Sequence, residues 1–319
     1  MKNENSQKKL IEEAKKLLKE CRLQRIIGFE KGSLRFTTTP LITYDAADAE
    51  RLVINPFIVN NLSNFLIGLE GKTAIVAKGC DSRSIVSLIQ DNKVKREDVV
   101  ILGIPCAGII DLDKIEKLTG RDRDKIDDIS LNGEKVLVSF NGEQGEFAAA
   151  DVLFDNCLSC DMPTPAEYDV LIGEPVAPKP PVPPQELNEL KEKLPADRWR
   201  FWQEQFSHCI RCYACRSICP ACFCNRCFAD ENKPQWLSPT PHWQDNLLFQ
   251  VTRSIHLAGR CTDCGECERA CPVNIPLRSL TREMYDIVND VFDYRAGMEK
   301  ESAPLMAAYE TEEAEDLIL

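Results

Sequence analysis

Apolar positions at Leu10, Ile11, Ala14, Leu17, Leu18 and Cys21 recur at helical spacing, and RIIGF (25–29) then reads as a short buried strand. LITY (41–44) predicts another strand, and AERLVINPFIVNNLSNFLIGLEG (49–71) predicts a helix interrupted at Pro56 and stopped at Gly71. TAIVAKGC (73–80) is a continuous apolar run followed by the helical SRSIVSLIQDN (82–92). VVILGIPCAG (99–108) and DLDKIEKL (111–118) repeat that pattern. Two successive strand-then-helix units imply a mostly parallel sheet with flanking helices, hence an α/β domain. KVLVSF (135–140), GEFAAADVLF (145–154) and YDVLIG (168–173) predict further strands. The proline-dense run EPVAPKPPVPPQEL (174–187) breaks the pattern and reads as a semi-rigid spacer. Beyond it, ELNELKEKL (186–194), RWRFWQEQF (198–206) and the amphipathic IPLRSLTREMYDIVNDVFDY (275–294) predict helices in a small α-rich domain. The expected organisation is a first domain over 1–174, a linker over 175–187, a second domain over 188–297 and an acidic tail over 298–319.

Composition narrows the chemistry. The 319 residues carry 44% hydrophobic side chains and a net charge of -12, which suits a globular protein and disfavours a nucleic-acid surface. The N-terminus has charge every few residues and no apolar core of a secretory signal, and no window is long and apolar enough to span a membrane. Sixteen cysteines at ligand-like spacing point to metal in a reducing compartment, and a cytoplasmic location is expected. Neither G-x-G-x-x-G nor G-x4-G-K-[ST] occurs, and the three histidines have no acid or nucleophile at motif spacing.

Two segments, HCIRCYACRSICP (208–220) and RCTDCGECERACP (260–272), each contain C-x2-C-x2-C-x3-C-P. That spacing wraps three thiolates around one cubane and sends the fourth to its neighbour. Cys209, Cys212, Cys215 and Cys271 are thus expected to hold one 4Fe-4S cluster, and Cys261, Cys264, Cys267 and Cys219 the other. Zinc is the alternative, though zinc ribbons favour paired C-x2-C knuckles over a four-cysteine run ending in Cys-Pro. Trp199 and Trp202 are expected to pack over the clusters. Between the halves, Cys222, Cys224 and Cys227 suit a further cluster or a zinc, with a fourth ligand from His208, His242, Cys21 or a partner chain; competition with Cys219 and thiols without metal are the other readings. Cys21 lies on the first apolar stripe and reads as core. In the first domain, Cys80 and Cys106 fall just past strand ends and Cys157 and Cys160 form a C-x2-C. By spacing they suit dispersed ligands of a third cluster and small buried hydrophobes equally.

The pieces KGCDSR (78–83), GIPCAG (103–108) and NCLSCDMPTPAEYDVLIG (156–173) resemble, in order, the three cysteine segments of the β subunit of coenzyme F-420-reducing hydrogenase and its relatives in formate dehydrogenases and siroheme sulfite reductases. The resemblance covers residues 10–175. It implies that Cys80, Cys106, Cys157 and Cys160 hold one 4Fe-4S cluster beside an FAD that exchanges electrons with a deazaflavin. The family's early glycine-rich segment has only Gly28 to answer it before residue 31, so loss of the flavin is the competing reading. The implied role is an electron-transfer subunit between a catalytic hydrogenase or formate dehydrogenase chain and a flavin or heterodisulfide-reductase-like partner. A self-contained flavoenzyme reducing a deazaflavin is the alternative.

Overall fold

A computed structural model describes residues 2–20 and 23–307, which leaves Cys21 and the end of the acidic tail outside the described residues. The chain divides into two compact units. The first comprises residues up to Ser82 together with Lys95–Asn188, and the second Arg83–Val94 together with everything from Glu189 on.

In the first unit, helix α1 (Lys2–Lys19) precedes strands β1 (Arg25–Lys31) and β2 (Thr38–Thr43). Strand β3 (Thr73–Ala77) leads into α2 (Gly79–Gln90), of which Gly79–Ser82 belong to this unit and the rest to the second, and β4 (Val99–Gly103) is followed by α3 (Leu112–Thr119). Together with β8 (Val170–Leu171), four of these strands form a five-stranded sheet in the order β2-β1-β3-β4-β8. Only the β1–β2 pair is antiparallel; β1–β3, β3–β4 and β4–β8 are parallel. Every residue of β3 is buried, as expected of a central strand covered on both faces. The Asp111 side chain caps α3 by accepting from the backbone N–H groups of Asp113 and Lys114, and Gly120 ends that helix at φ 65°.

A separate antiparallel sheet contains β5 (Asp128–Asn132), β6 (Lys135–Phe140) and β7 (Glu143–Ala148). Asn141 and Gly142, both at positive φ, make the β6–β7 turn. Val136, Val138 and Phe140 alternate inward onto Ile115, Ile126 and Val152. The short helices α4 (Ala149–Val152) and α5 (Asp155–Leu158) then carry the chain towards Cys157.

The second unit contains α6 (Gln185–Glu192), α7 (Pro195–Ser207), α8 (Ala214–Ser217), α9 (Trp243–His256), α10 (Glu266–Arg269) and α11 (Leu277–Phe292), with the first residues of α6 falling in the first unit. Its core gathers Phe206, Leu237, Phe249, Ile275 and Leu277 around Cys215, Cys267 and Cys271.

Three sequence expectations differ from the structure. Residues 49–71 form two 3-10 turns, Asp48–Arg51 and Leu62–Leu66, instead of an interrupted helix. Asn55 and Asn61 accept from the backbone N–H groups of Phe57 and Ser63, and these local bonds replace helical ones around Pro56. Residues 145–154 are strand only to Ala148. The proline-dense run has no regular structure before α6 begins at Gln185, yet it is tied down within the first unit: the Thr164 hydroxyl bonds both the N–H and the carbonyl of Val176 (2.9 Å each), and Val182 N–H donates to the Leu158 carbonyl.

Candidate iron-sulfur sites

The two cysteine runs fold alike because the same two positions in each leave the right-handed region. Arg211 (φ 51°) and Tyr213 (φ 59°) follow Cys209 and Cys212; Asp263 (φ 55°) and Gly265 (φ 74°) follow Cys261 and Cys264. Each pair of left-handed residues curls its loop, turns successive N–H groups to the concave side and delivers the third cysteine onto a one-turn helix, α8 or α10. The concave side suits an anionic cluster. Asp263 N–H already points at Cys261 Sγ (3.4 Å), and Ile275 N–H at Cys271 Sγ (3.4 Å).

Neighbouring helices hold these strained corners from outside. The Asp263 carboxylate takes a two-pronged bond from Arg278 (2.7 and 2.6 Å) and a further one from Arg282 (2.8 Å) of α11. In the first run, Arg211 donates to the Asn246 side chain of α9 (3.0 Å) and to the carbonyls of Ser238 and Thr240. Asn246 also donates to the carbonyls of Phe206 and Cys209 (3.0 and 2.8 Å).

The thiols gather into two groups. Burial raises the pKa of the Cys209 thiol, and the neighbouring thiols of Cys215, Cys271 and Cys212 act in the same direction. A cavity is lined by Cys219, Cys261, Cys264 and Cys267 together with Arg253, Thr262 and Thr281. Burial, followed by Asp263, pushes the Cys261 thiol up to about 12; burial pushes Cys267 up to about 11 and Cys264 well above its ordinary range. Each run thus contributes three cysteines to one group and its last to the other. Without a cation such thiols hold their protons, so metal binding here must release them. Among the described residues, no three His, Cys, Asp or Glu side chains converge as the ligands of a single ion would. The donor set and the thiol-lined cavity fit a 4Fe-4S group.

In the first unit, Cys80 lies in the first turn of α2, Cys106 three residues past β4, and Cys157 and Cys160 in and after α5. The half-buried Cys106 thiol is pushed up to about 12, chiefly by desolvation and then by Cys157, with Cys160 nearby. Lys78 joins the group. Its ammonium pairs with Asp81 (2.8 Å), donates to the Asn60 carbonyl (2.8 Å) and stands 4.7 Å from the centre of the Phe29 ring. Burial alone would lower its pKa, but Asp81 and then Cys80, with a smaller effect from Cys106, raise it. Gly79 allows this convergence: a Cβ there would meet the Met162 carbonyl oxygen at 1.8 Å. Cys106 N–H bonds the Pro163 carbonyl (2.7 Å), and Cys157 Sγ accepts from Ile109 N–H (3.4 Å).

The insertion cysteines have different neighbours. Cys222 lies against Cys219: a hydrogen bond between the two thiols lowers Cys222 and raises Cys219. Cys227 lies beside Arg216, which is bonded to Asp230, and Cys224 is exposed. His208 caps α7, His242 precedes α9, and His256 lies edge-on to Phe228. Trp202 stacks on Phe206 and packs against the cysteine-containing core, whereas Trp199 is 52% exposed and meets Trp243 edge-on. Sequence reasoning missed Lys78 and the buried polar face of α9, formed by Asn246, Gln250 and Arg253. Their i, i+4, i+7 spacing is the signal that marks them.

Residues 205–275 match the family described as 4Fe-4S dicluster domain. The chain is 23% identical to the β subunit of F420-dependent formate dehydrogenase of Methanocaldococcus jannaschii, across 73% of this chain and 76% of that one. It is 24% identical to the β subunit of F420-dependent formate dehydrogenase 1 of Methanococcus maripaludis, across 74% and 76%. Among solved structures it is similar to a chain of the F420-reducing [NiFe] hydrogenase complex of Methanosarcina barkeri, with 14% identity and a TM-score of 0.37, covering 50% of this chain and 63% of that one, less than two thirds of its length. Residues 205–275 are therefore a 4Fe-4S dicluster domain, carried on a chain homologous over most of its length to formate dehydrogenase β subunits.

Proposed function

We propose that this chain is the iron-sulfur electron-transfer subunit of a multi-subunit oxidoreductase of the formate dehydrogenase, hydrogenase or heterodisulfide-reductase type. The observation that carries the reading is the exchange of last cysteines between two loops of the same shape: Cys271 stands with Cys209, Cys212 and Cys215, and Cys219 with Cys261, Cys264 and Cys267. These eight residues are its ligands for two 4Fe-4S clusters. Such clusters accept and release single electrons, with potentials set by charge, hydrogen bonds to sulfur and burial. The chain's residues hold, orient and shield them, and none is assigned an acid or base role.

A third 4Fe-4S cluster on Cys80, Cys106, Cys157 and Cys160 belongs to this reading, supported by Cys80 and Cys106 beside Lys78 and by Cys157 and Cys160 beside Cys106. No helix among the described residues is long and apolar enough to cross a membrane, which accords with a cytoplasmic subunit working through protein partners. The named relatives are β subunits of F420-dependent enzymes, and this favours a second reading in which the first unit also binds FAD and passes electrons to a deazaflavin.

Iron, zinc, acid-labile sulfide and flavin measured on anaerobically purified protein, with low-temperature spin resonance after reduction, test these readings together. The electron-transfer reading expects about twelve iron atoms and as many sulfides per chain. Stoichiometric flavin, with deazaflavin turnover by the isolated chain, supports the second reading. About sixteen iron atoms, or one zinc, puts a further metal on Cys222, Cys224 and Cys227. A colourless protein rich in zinc and silent in spin resonance overturns the proposal.

A further inference from the structure

Arg253 is buried in the second unit, at 4% exposure, on the face of α9 turned towards the thiols. One terminal nitrogen, Nη2, donates to the Cys215 carbonyl (3.1 Å) and so fixes the plane of the guanidinium. The other two, Nε and Nη1, are buried and have no acceptor among the described residues. Around it stand the thiols of Cys219, Cys267, Cys222 and Cys215. It also lines the cavity formed by Cys219, Cys261, Cys264 and Cys267. A guanidinium cannot lose its charge in a protein, so a buried one with idle donors calls for an anion.

We infer that Arg253 is a positioning residue for the cluster held by Cys219, Cys261, Cys264 and Cys267, supplying it with a fixed positive charge and two N–H donors that raise its reduction potential. Gaining one electron from a reductant adds one negative charge at this site. A cation at fixed distance stabilises that added charge, whereas the cluster on Cys209, Cys212, Cys215 and Cys271 receives a neutral donor there, Gln250 Nε2 to Cys215 Sγ at 3.6 Å. The asymmetry makes the second site the better resting place for the electron. This inference rests on the two-cluster reading above.

The test is a mediated redox titration of the full chain with dithionite, followed by low-temperature spin resonance, for the wild type, Arg253→Gln and Arg253→Lys. Arg253→Gln is expected to keep full iron and sulfide while one signal becomes harder to reduce by at least about tenfold in the reduction equilibrium, about 59 mV for one electron. Arg253→Lys, which keeps the charge, is expected to recover most of that shift, and the other signals stay in place. Full iron in Arg253→Gln with unmoved potentials overturns the inference and leaves the two-cluster reading standing. Should Arg253→Gln lose iron, the wild type grown on nitrogen-15 arginine decides: coupling of guanidinium nitrogen to the reduced cluster in pulsed spin resonance supports the inference, and its absence overturns it. A wild type without iron and sulfide overturns both.

Discussion

Gly79 is the residue on which the first unit's cysteine group most depends. The main-chain oxygen of Met162 occupies the space of its missing Cβ, and main chain cannot swing aside as the end of a long side chain can. Gly79→Ala is therefore expected to push the loop that carries Cys157 and Cys160 away from Cys80. With the proposed third cluster lost, iron falls from about twelve to about eight atoms per chain while the two signals of the dicluster domain persist. Unchanged iron in a folded Gly79→Ala protein would refute the assignment of these four ligands. Residue identity alone shows four separated cysteines and a glycine. It does not show that backbone from Met162, far downstream, fills the glycine's empty side.

At the scale of elements, α9 and α11 serve matching roles for the two cysteine loops. Helix α9 buries polar Asn246, Gln250 and Arg253 beside Phe249 while Leu248 and Ile255 lie at the surface, a departure from the usual amphipathic arrangement. Helix α11 supplies Arg278 and Arg282 to Asp263. Arg278 and Asp263 are both nearly buried, so removing one partner leaves charge without full compensation. Arg278→Ala is expected to destabilise the second unit by about 2–4 kcal/mol, softened because Arg282 still reaches Asp263. Combining it with Asp263→Asn should cost less than the sum of the single changes, and a double-mutant cycle by chemical denaturation measures the difference. Strict additivity would mean that the pair contributes nothing. The amphipathic period of residues 275–294 predicts α11, but spacing does not reveal which arginines face the loop.

For the whole molecule, the two units differ in what holds them together. The first has an ordinary apolar core, with Ile26, Ile75, Ile101 and Leu102 fully buried in its sheet, each contributing about 1.5–3 kcal/mol. The core of the second is interrupted by Cys215, Cys267 and Cys271, so a lost cluster would leave protonated thiols and unmatched donors at its centre. Oxidative destruction of the clusters is expected to remove amide-exchange protection from residues 205–275 while β1, β3 and β4 stay protected. Protection retained throughout would show that the helices of the second unit do not depend on the metal. Local pattern alone determined the dicluster loops, because three cysteines of each lie within seven residues and their spacing encodes the wrap. It likewise determined the strand-helix alternation of the first unit. Only the tertiary structure decided what stands around the thiols: Lys78 beside Cys106, and Arg253 in the cavity with Cys219. These neighbours come from segments far apart in the chain, and an unpaired donor becomes visible only once folding has removed the water that would otherwise satisfy it.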